Sequence, residues 1–178
     1  MIQTGCNTSE LQRLRSGKVH LEHEIPHIII SGETKTTQRK RVIPIVVGLE
    51  RLQDLQHELS DDSRLFLGEA FGNKNESNVS HQLKTIISKV NPKGTAYSLR
   101  HAMRNNALAS GVDQAITAMI GGWSSKLAVN PIQQQYGAGG RVYLDTLKQL
   151  QQAMFSINNH LIDKTDANIV TFQKRKQG

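Results

Sequence analysis

The chain predicts an α+β fold, mainly α-helical, with a small antiparallel β-sheet near its N-terminal third. Three observations carry that expectation. Two β-branched apolar runs, at 27–30 and 42–46, flank a polar and basic stretch, which is the pattern of a hairpin. From residue 48 onward, apolar residues instead recur every three or four positions, in blocks separated by glycine, proline or polar turns. Apolar residues make up 37% of the 178 and aromatics only 4%, so one domain with an aliphatic core is expected.

Charge and cysteine content narrow the partners. A formal charge of +7 points to a polyanion, nucleic acid first and an anionic membrane second. The single cysteine, Cys6, excludes an internal disulfide and fits a reducing compartment, so a cytoplasmic protein is expected. No apolar run reaches the length of a membrane span and no signal peptide opens the chain, which leaves a membrane role unsupported. Glu50, Asp54, Glu58, Asp61 and Asp62 define no converging ligand set and read as a solvated face, so no metal is expected.

Taken in order, Thr8 or Ser9 caps a first helix, with Glu10 in its first turn and Leu11 and Leu14 on one face. The sheet follows within 19–47, its two runs joined by the polar segment 31–40. Leu49, Leu52, Leu55 and Leu59 define an amphipathic helix over 48–60. A short apolar piece at 65–67 and a polar turn near 73–80 lead to a helix over 79–90, with Leu83, Ile86, Ile87 and Val90 on its buried face. Asn91-Pro92-Lys93-Gly94 breaks it.

The next helix, 97–110, is entered through Thr95 or Ser98. Leu99, Met103 and Ala107 point one way, and Arg100 and Arg104 share another face at i, i+4. Arg100 is expected in the first turn, where an anion also meets the helix N-terminus. Gly111 caps that helix, and a short one over 112–120 buries Val112, Ile116 and Met119. Gly121-Gly122 then turns to present Trp123, the only tryptophan. Residues 127–136 read as a loop becoming helical, with Pro131 in a first turn. Val142, Leu144, Leu147, Leu150, Met154 and Ile157 give the last helix its buried face. The polar end, closed by Lys174-Arg175-Lys176, predicts a domain over 1–160 and a flexible tail over 161–178.

Three short motifs follow one another at ordered intervals. These are Tyr97-Ser98-Leu99-Arg100-His101, Gly121-Gly122-Trp123 and Tyr136-Gly137. An arginine offers a phosphate its planar fork, an indole N–H adds a donor, and a tyrosine can act as nucleophile. In this order the motifs resemble the catalytic domain of the tyrosine recombinase, or phage integrase, family. Two further segments extend the resemblance. Thr4-Gly5-Cys6-Asn7-Thr8-Ser9-Glu10-Leu11 is similar to the family's Thr-Gly-x-Arg-x-Ser-Glu-Leu box, and Lys35 lies in a Thr-Lys-Thr context just before an Arg-Val-Ile-Pro strand.

The resemblance implies that Tyr136 attacks a DNA phosphodiester to give a 3′-phosphotyrosine bond. Arg100, Trp123 and Tyr97 would face the phosphate, and Lys35 would protonate the leaving 5′ oxygen. His101 and Glu10 would support them from behind. Tyr97 stands where the family commonly has histidine. The Trp123-to-Tyr136 step is longer than usual by about one helical turn, which leaves Tyr143 as the rival nucleophile. It further implies double-stranded DNA as partner, self-association on DNA, a bacterial or mobile-element origin, and no metal or nucleotide cofactor. The chain would be the C-terminal catalytic part, truncated at its N-terminus.

Position 7 breaks the pattern. The family's first catalytic arginine falls on Asn7, which carries no charge. Asparagine also suits a helix N-terminus, so the residue has a purely local explanation. Three functions therefore stand side by side: a DNA strand transferase, a DNA-binding remnant that kept the fold and lost the chemistry, and a helical interaction module unrelated to DNA.

Overall fold

A computed structural model describes residues 1–31, 40–57, 59–66, 76–123 and 140–165. Among them the chain is mainly helical around one three-stranded antiparallel sheet near the N-terminal part, as the periodicities predict. In chain order the elements are α1 (Thr8–Gln12), a single 3₁₀ turn (Ser16–Lys18), β1 (Val19–His20), β2 (His27–Ile30), β3 (Arg41–Pro44), α2 (Leu49–His57), α3 (Glu76–Ser88), α4 (Ala96–Ala109), α5 (Gln114–Gly121) and α6 (Gly140–Thr165).

The sheet order is β1-β2-β3, and its register decides what each strand buries. Ile28 pairs with Ile43, and Ile30 pairs with Arg41. Residues directly opposite share a face, and alternate residues along a strand return to it. Ile28, Ile30, Arg41 and Ile43 therefore share one face, which packs into the main core with Met103 and Ala107 of α4, Ile120 of α5, and Leu150, Met154 and Ile157 of α6. The opposite face carries Ile29 and Val42, covered by Leu144 and Leu147 of α6. With both faces covered, β3 is buried along its whole length.

Helix boundaries follow their caps. Asn7, rather than Thr8 or Ser9, caps α1: its side chain accepts from the Glu10 amide at 2.7 Å, and the Glu10 carboxylate accepts from the Asn7 amide at 2.9 Å. This reciprocal pair satisfies two amides that the helix cannot. Thr95 caps α4 with Ser98 as its return partner. That starts the helix at Ala96 and places Arg100 at its fifth position, past the first turn where it was expected. Gly111, at φ +68°, closes α4: its amide bonds to Leu108 O, and the Val112 amide bonds to Ala107 O. Because Val112 serves that closure, α5 begins at Gln114 behind the Asp113 side chain, and it buries Thr117, Ala118 and Ile120, with Ile116 and Met119 only half-buried.

One further expectation needs correction, and two features add to the reading. β1 falls within the span expected for the sheet but does not stand out as a run, since two residues are too few to show an alternation. The apolar face of α3 is only partly covered by the described residues: Leu83 and Ile87 are half-buried, but Ile86 is 61% exposed, and Val90, beyond the helix end, is 90% exposed. Amphipathic spacing says which residues share a face, not whether a neighbour reaches it. At the other end, α6 runs through residue 160 to Thr165, and Leu161 and Ile162 still pack on the core. Residues 166–178 lie outside the described residues. No described helix is long and apolar enough to cross a membrane.

Candidate functional site

The N-terminal ends of α1 and α4, the start of β3 and the C-terminal end of α5 converge on one carboxylate. Glu10 is buried, and burial alone would raise its pKa. Arg41, the Asn7 amide and Arg100 outweigh that effect and hold the carboxyl below its ordinary value of 4.5. Arg41 grips it bidentately, with Nη1 to Oε1 and Nη2 to Oε2 both at 3.0 Å. Arg100 stands 3.7 Å from Oε2.

Register explains why an arginine sits so deep. Arg41 shares a face with Ile43, so its side chain must enter the core, where it is 1% exposed. An unpaired charge there would be prohibitive. Besides gripping Glu10, its Nε donates to Ile120 O at 2.7 Å, and its Nη2 lies 3.6 Å from Cys6 Sγ. Burial would disfavour the cation, but Cys6 and Glu10 more than offset it and raise the guanidinium pKa. Arg41 thereby ties β3 to both α1 and the end of α5.

Arg100 is also buried. Its Nη1 donates to Gly5 O, and its guanidinium lies 4.7 Å from the centroid of the Trp123 ring. Arg104, one turn on, lies 5.9 Å from the same ring and is exposed. Both distances suit a cation over an aromatic face. Trp123 is half-buried, and its amide bonds to Ala118 O at 3.0 Å.

The two glycines before Trp123 make this arrangement possible. A Cβ on Gly121 would lie 2.0 Å from the indole Cζ3. One on Gly122 would lie 2.7 Å from Arg41 Nη1, and Gly122 also takes the left-handed C-cap at φ +65°. The Gly-Gly pair is thus the floor on which the indole and the Arg41 guanidinium rest. Gly5, whose carbonyl receives Arg100, is less crowded but still tight: a Cβ there would meet Gly121 Cα at 3.3 Å.

Of the sequence-predicted site residues, Asn7, Glu10, Arg100 and Trp123 come together here. Tyr97 and His101 form an exposed edge-to-face pair on α4, their ring centroids 4.6 Å apart. Lys35 and Tyr136 lie outside the described residues, as does the side chain of Tyr143. Asn7 Oδ1 is committed to the α1 cap and to the Ser9 hydroxyl at 2.9 Å. Sequence reasoning missed Arg41. Its signal was its place two residues before Ile43 on a strand buried on that face.

One carboxylate against three guanidinium groups leaves the cluster with a net charge of +2, beside an indole with one polar edge. Such a cluster suits an anion with several acceptor oxygens. Among the described residues no group of His, Cys, Asp and Glu could hold a metal ion. The family model described as "Phage integrase family" matches residues 1–132. No curated protein and no solved structure matches the chain.

Proposed function

The chain belongs to the phage integrase family, and from that premise we propose that it cleaves and rejoins double-stranded DNA through a 3′-phosphotyrosine intermediate. The observation that carries this reading is the placement of Arg100, beside Glu10 on one side and over the Trp123 ring on the other. The segment of Gly5 and Glu10 and the motifs of Arg100 and Trp123 meet there, as a phosphate clamp needs.

In this mechanism a backbone phosphate of DNA lies against Arg100, Trp123 and Tyr97. A free tyrosine ionises near pH 10, so positive charge around the phosphate is needed to make Tyr136 a nucleophile near neutrality. The phenol loses its proton to solvent and its oxygen bonds to phosphorus. The bond from phosphorus to the 5′ oxygen breaks, and the Lys35 ammonium gives that oxygen a proton. One phosphoester replaces another, so rejoining needs no nucleotide, and neither a metal nor another cofactor takes part. Glu10 and His101 hold their neighbours in place. Copies associate on DNA so that strands can be exchanged, and the compartment that goes with the reading is the bacterial cytoplasm.

Asn7 favours a second reading, a DNA-binding remnant without cleavage. Its side chain is already bound into the α1 cap, and an asparagine amide brings no charge. Removing one transition-state donor costs about 3–4 kcal/mol in comparable sites, some hundredfold or more in rate.

Covalent trapping on nicked duplexes, which lose a short 5′-hydroxyl fragment on cleavage, separates the two readings. A denaturant-resistant protein–DNA band, absent in Tyr136→Phe, is the expected result for a strand transferase. A band seen only in Asn7→Arg, at the cost of about 1 kcal/mol from the lost cap, would establish the remnant. DNA binding with no band in either protein would withdraw the catalytic reading.

A further inference from the structure

We propose that Arg104 is a phosphate-binding residue of this site and supplies the open cation that position 7 lacks. The inference rests on the DNA strand-transfer reading above. It begins from an inventory of the guanidinium donors. Arg41 is engaged by Glu10, Ile120 O and Cys6, and is sealed from solvent. Arg100 is 5% exposed and already holds Gly5 O and Glu10. Glu10 neutralises one of these two charges, so together they present little more than a single cation to a phosphate.

Arg104 differs on each count. It is exposed, and among the described residues its only partner is the Trp123 ring. No described residue takes any of the five N–H donors of its fork. Its place at i+4 from Arg100 puts the two side chains on one helix face about 6 Å apart along the axis, so both reach the same indole. The ring limits where the guanidinium can lie, as a flat apolar shelf does for a planar cation.

The charge environment favours an anionic ligand. Residues 77–112 carry Lys84, Lys89, Lys93, Arg100 and Arg104 and no aspartate or glutamate. The acids that flank this stretch are Glu76, at the start of α3, and Asp113, whose carboxylate caps α5. No described acid pairs with Arg104. A DNA backbone phosphate at the rim of the indole therefore meets Arg104 first, with Arg100 and Trp123 behind it.

The test is the salt dependence of duplex binding by the full chain, measured on two unrelated duplexes. A lost phosphate contact lowers the slope of log K against log salt by about 0.9 and weakens binding equally on every sequence. Arg104→Gln should show that drop on both duplexes with an unchanged Tm, and Arg104→Lys should keep the slope. Arg51→Gln, which removes the same charge from an exposed position on α2, should match the native chain. Equal slopes for Arg104→Gln and Arg51→Gln would overturn the inference and leave DNA binding standing. A native chain with no salt-dependent affinity for either duplex would overturn both the inference and the reading beneath it.

Discussion

Replacing Glu10 with glutamine tests whether the site is assembled around one buried charge. The exchange is nearly isosteric, and glutamine can still serve the third position of a capping box, so the α1 cap survives. What disappears is the negative charge between two arginines. Arg41 is 1% exposed and holds both carboxylate oxygens at 3.0 Å. After the exchange one oxygen becomes an amide that can only donate, facing a guanidinium that can only donate. Breaking a buried pair by removing one partner costs about 3–5 kcal/mol. The remaining oxygen can still accept one bond, so the lower end of that range, about 3 kcal/mol, is expected.

Urea unfolding reads this directly. With a slope of about 2 kcal/mol/M, the midpoint should fall by about 1.5 M. For a domain of this size the melting temperature should fall by about 6–12 °C. Adding Arg41→Met to Glu10→Gln removes both members of the pair and should restore part of the loss, because no unpaired buried cation then remains. A midpoint shift below about 0.3 M at unchanged slope, or strictly additive losses in the double variant, would show that Arg41 is hydrated in solution and that Glu10 does not organise the site.

Two further outcomes follow from the geometry. Gly121→Ala places a methyl group where the indole ring lies, 2.0 Å from its Cζ3; the only tryptophan must then leave its shelf, and its fluorescence should shift to the red, whereas an unchanged spectrum would refute the packing. Acid should weaken the fold through His27: burial first, then His20 and His23 beside it, outweigh its bond to Ile25 O and lower its pKa from 6.5 to about 4. The unfolded chain thus binds that proton more readily, so this stability is intact above pH 6.5, declines as pH falls, and is lost by about pH 4. At most about 3 kcal/mol is involved, and His20, also lowered, acts in the same sense. Urea midpoints at pH 7.5 and 4.5 should differ in the native chain and differ less in His27→Gln.

Much of the fold was legible because its periodicities are local. The isoleucines of β2 and the run that became β3 alternate or cluster as strands do, and Met103, Ala107, Leu150 and Met154 lie where helical spacing places them. What escaped depended on contacts between elements. The two residues of β1 pair only because β2 passes beside them. The face of α3 looked buried by spacing alone, yet among the described residues its packing neighbours are α1 and α4, which leave Ile86 uncovered.

The site shows the same division more sharply. Arg100, Trp123 and Glu10 belong to short motifs that can be read as words. The clamp that fixes Glu10 to β3 and the end of α5 is made by Arg41, whose role arises from strand register and is invisible in any motif. Position 7 belongs to both levels. As a motif letter, asparagine is a defect, since it removes a charge. As a local structure it is a good cap, with its oxygen on two donors and the Glu10 carboxylate returning to its amide. Glu10 is thus shared between the cap and the two arginines. An arginine at position 7 would keep the backbone half of that cap and lose the side-chain half, while adding a third guanidinium near one carboxylate. Asn7 therefore removes a charge and at the same time steadies the carboxylate that positions Arg100. On the strand-transfer reading proposed above, the phosphate-facing cation is then to be sought on another element, and α4 offers Arg104 one turn beyond Arg100.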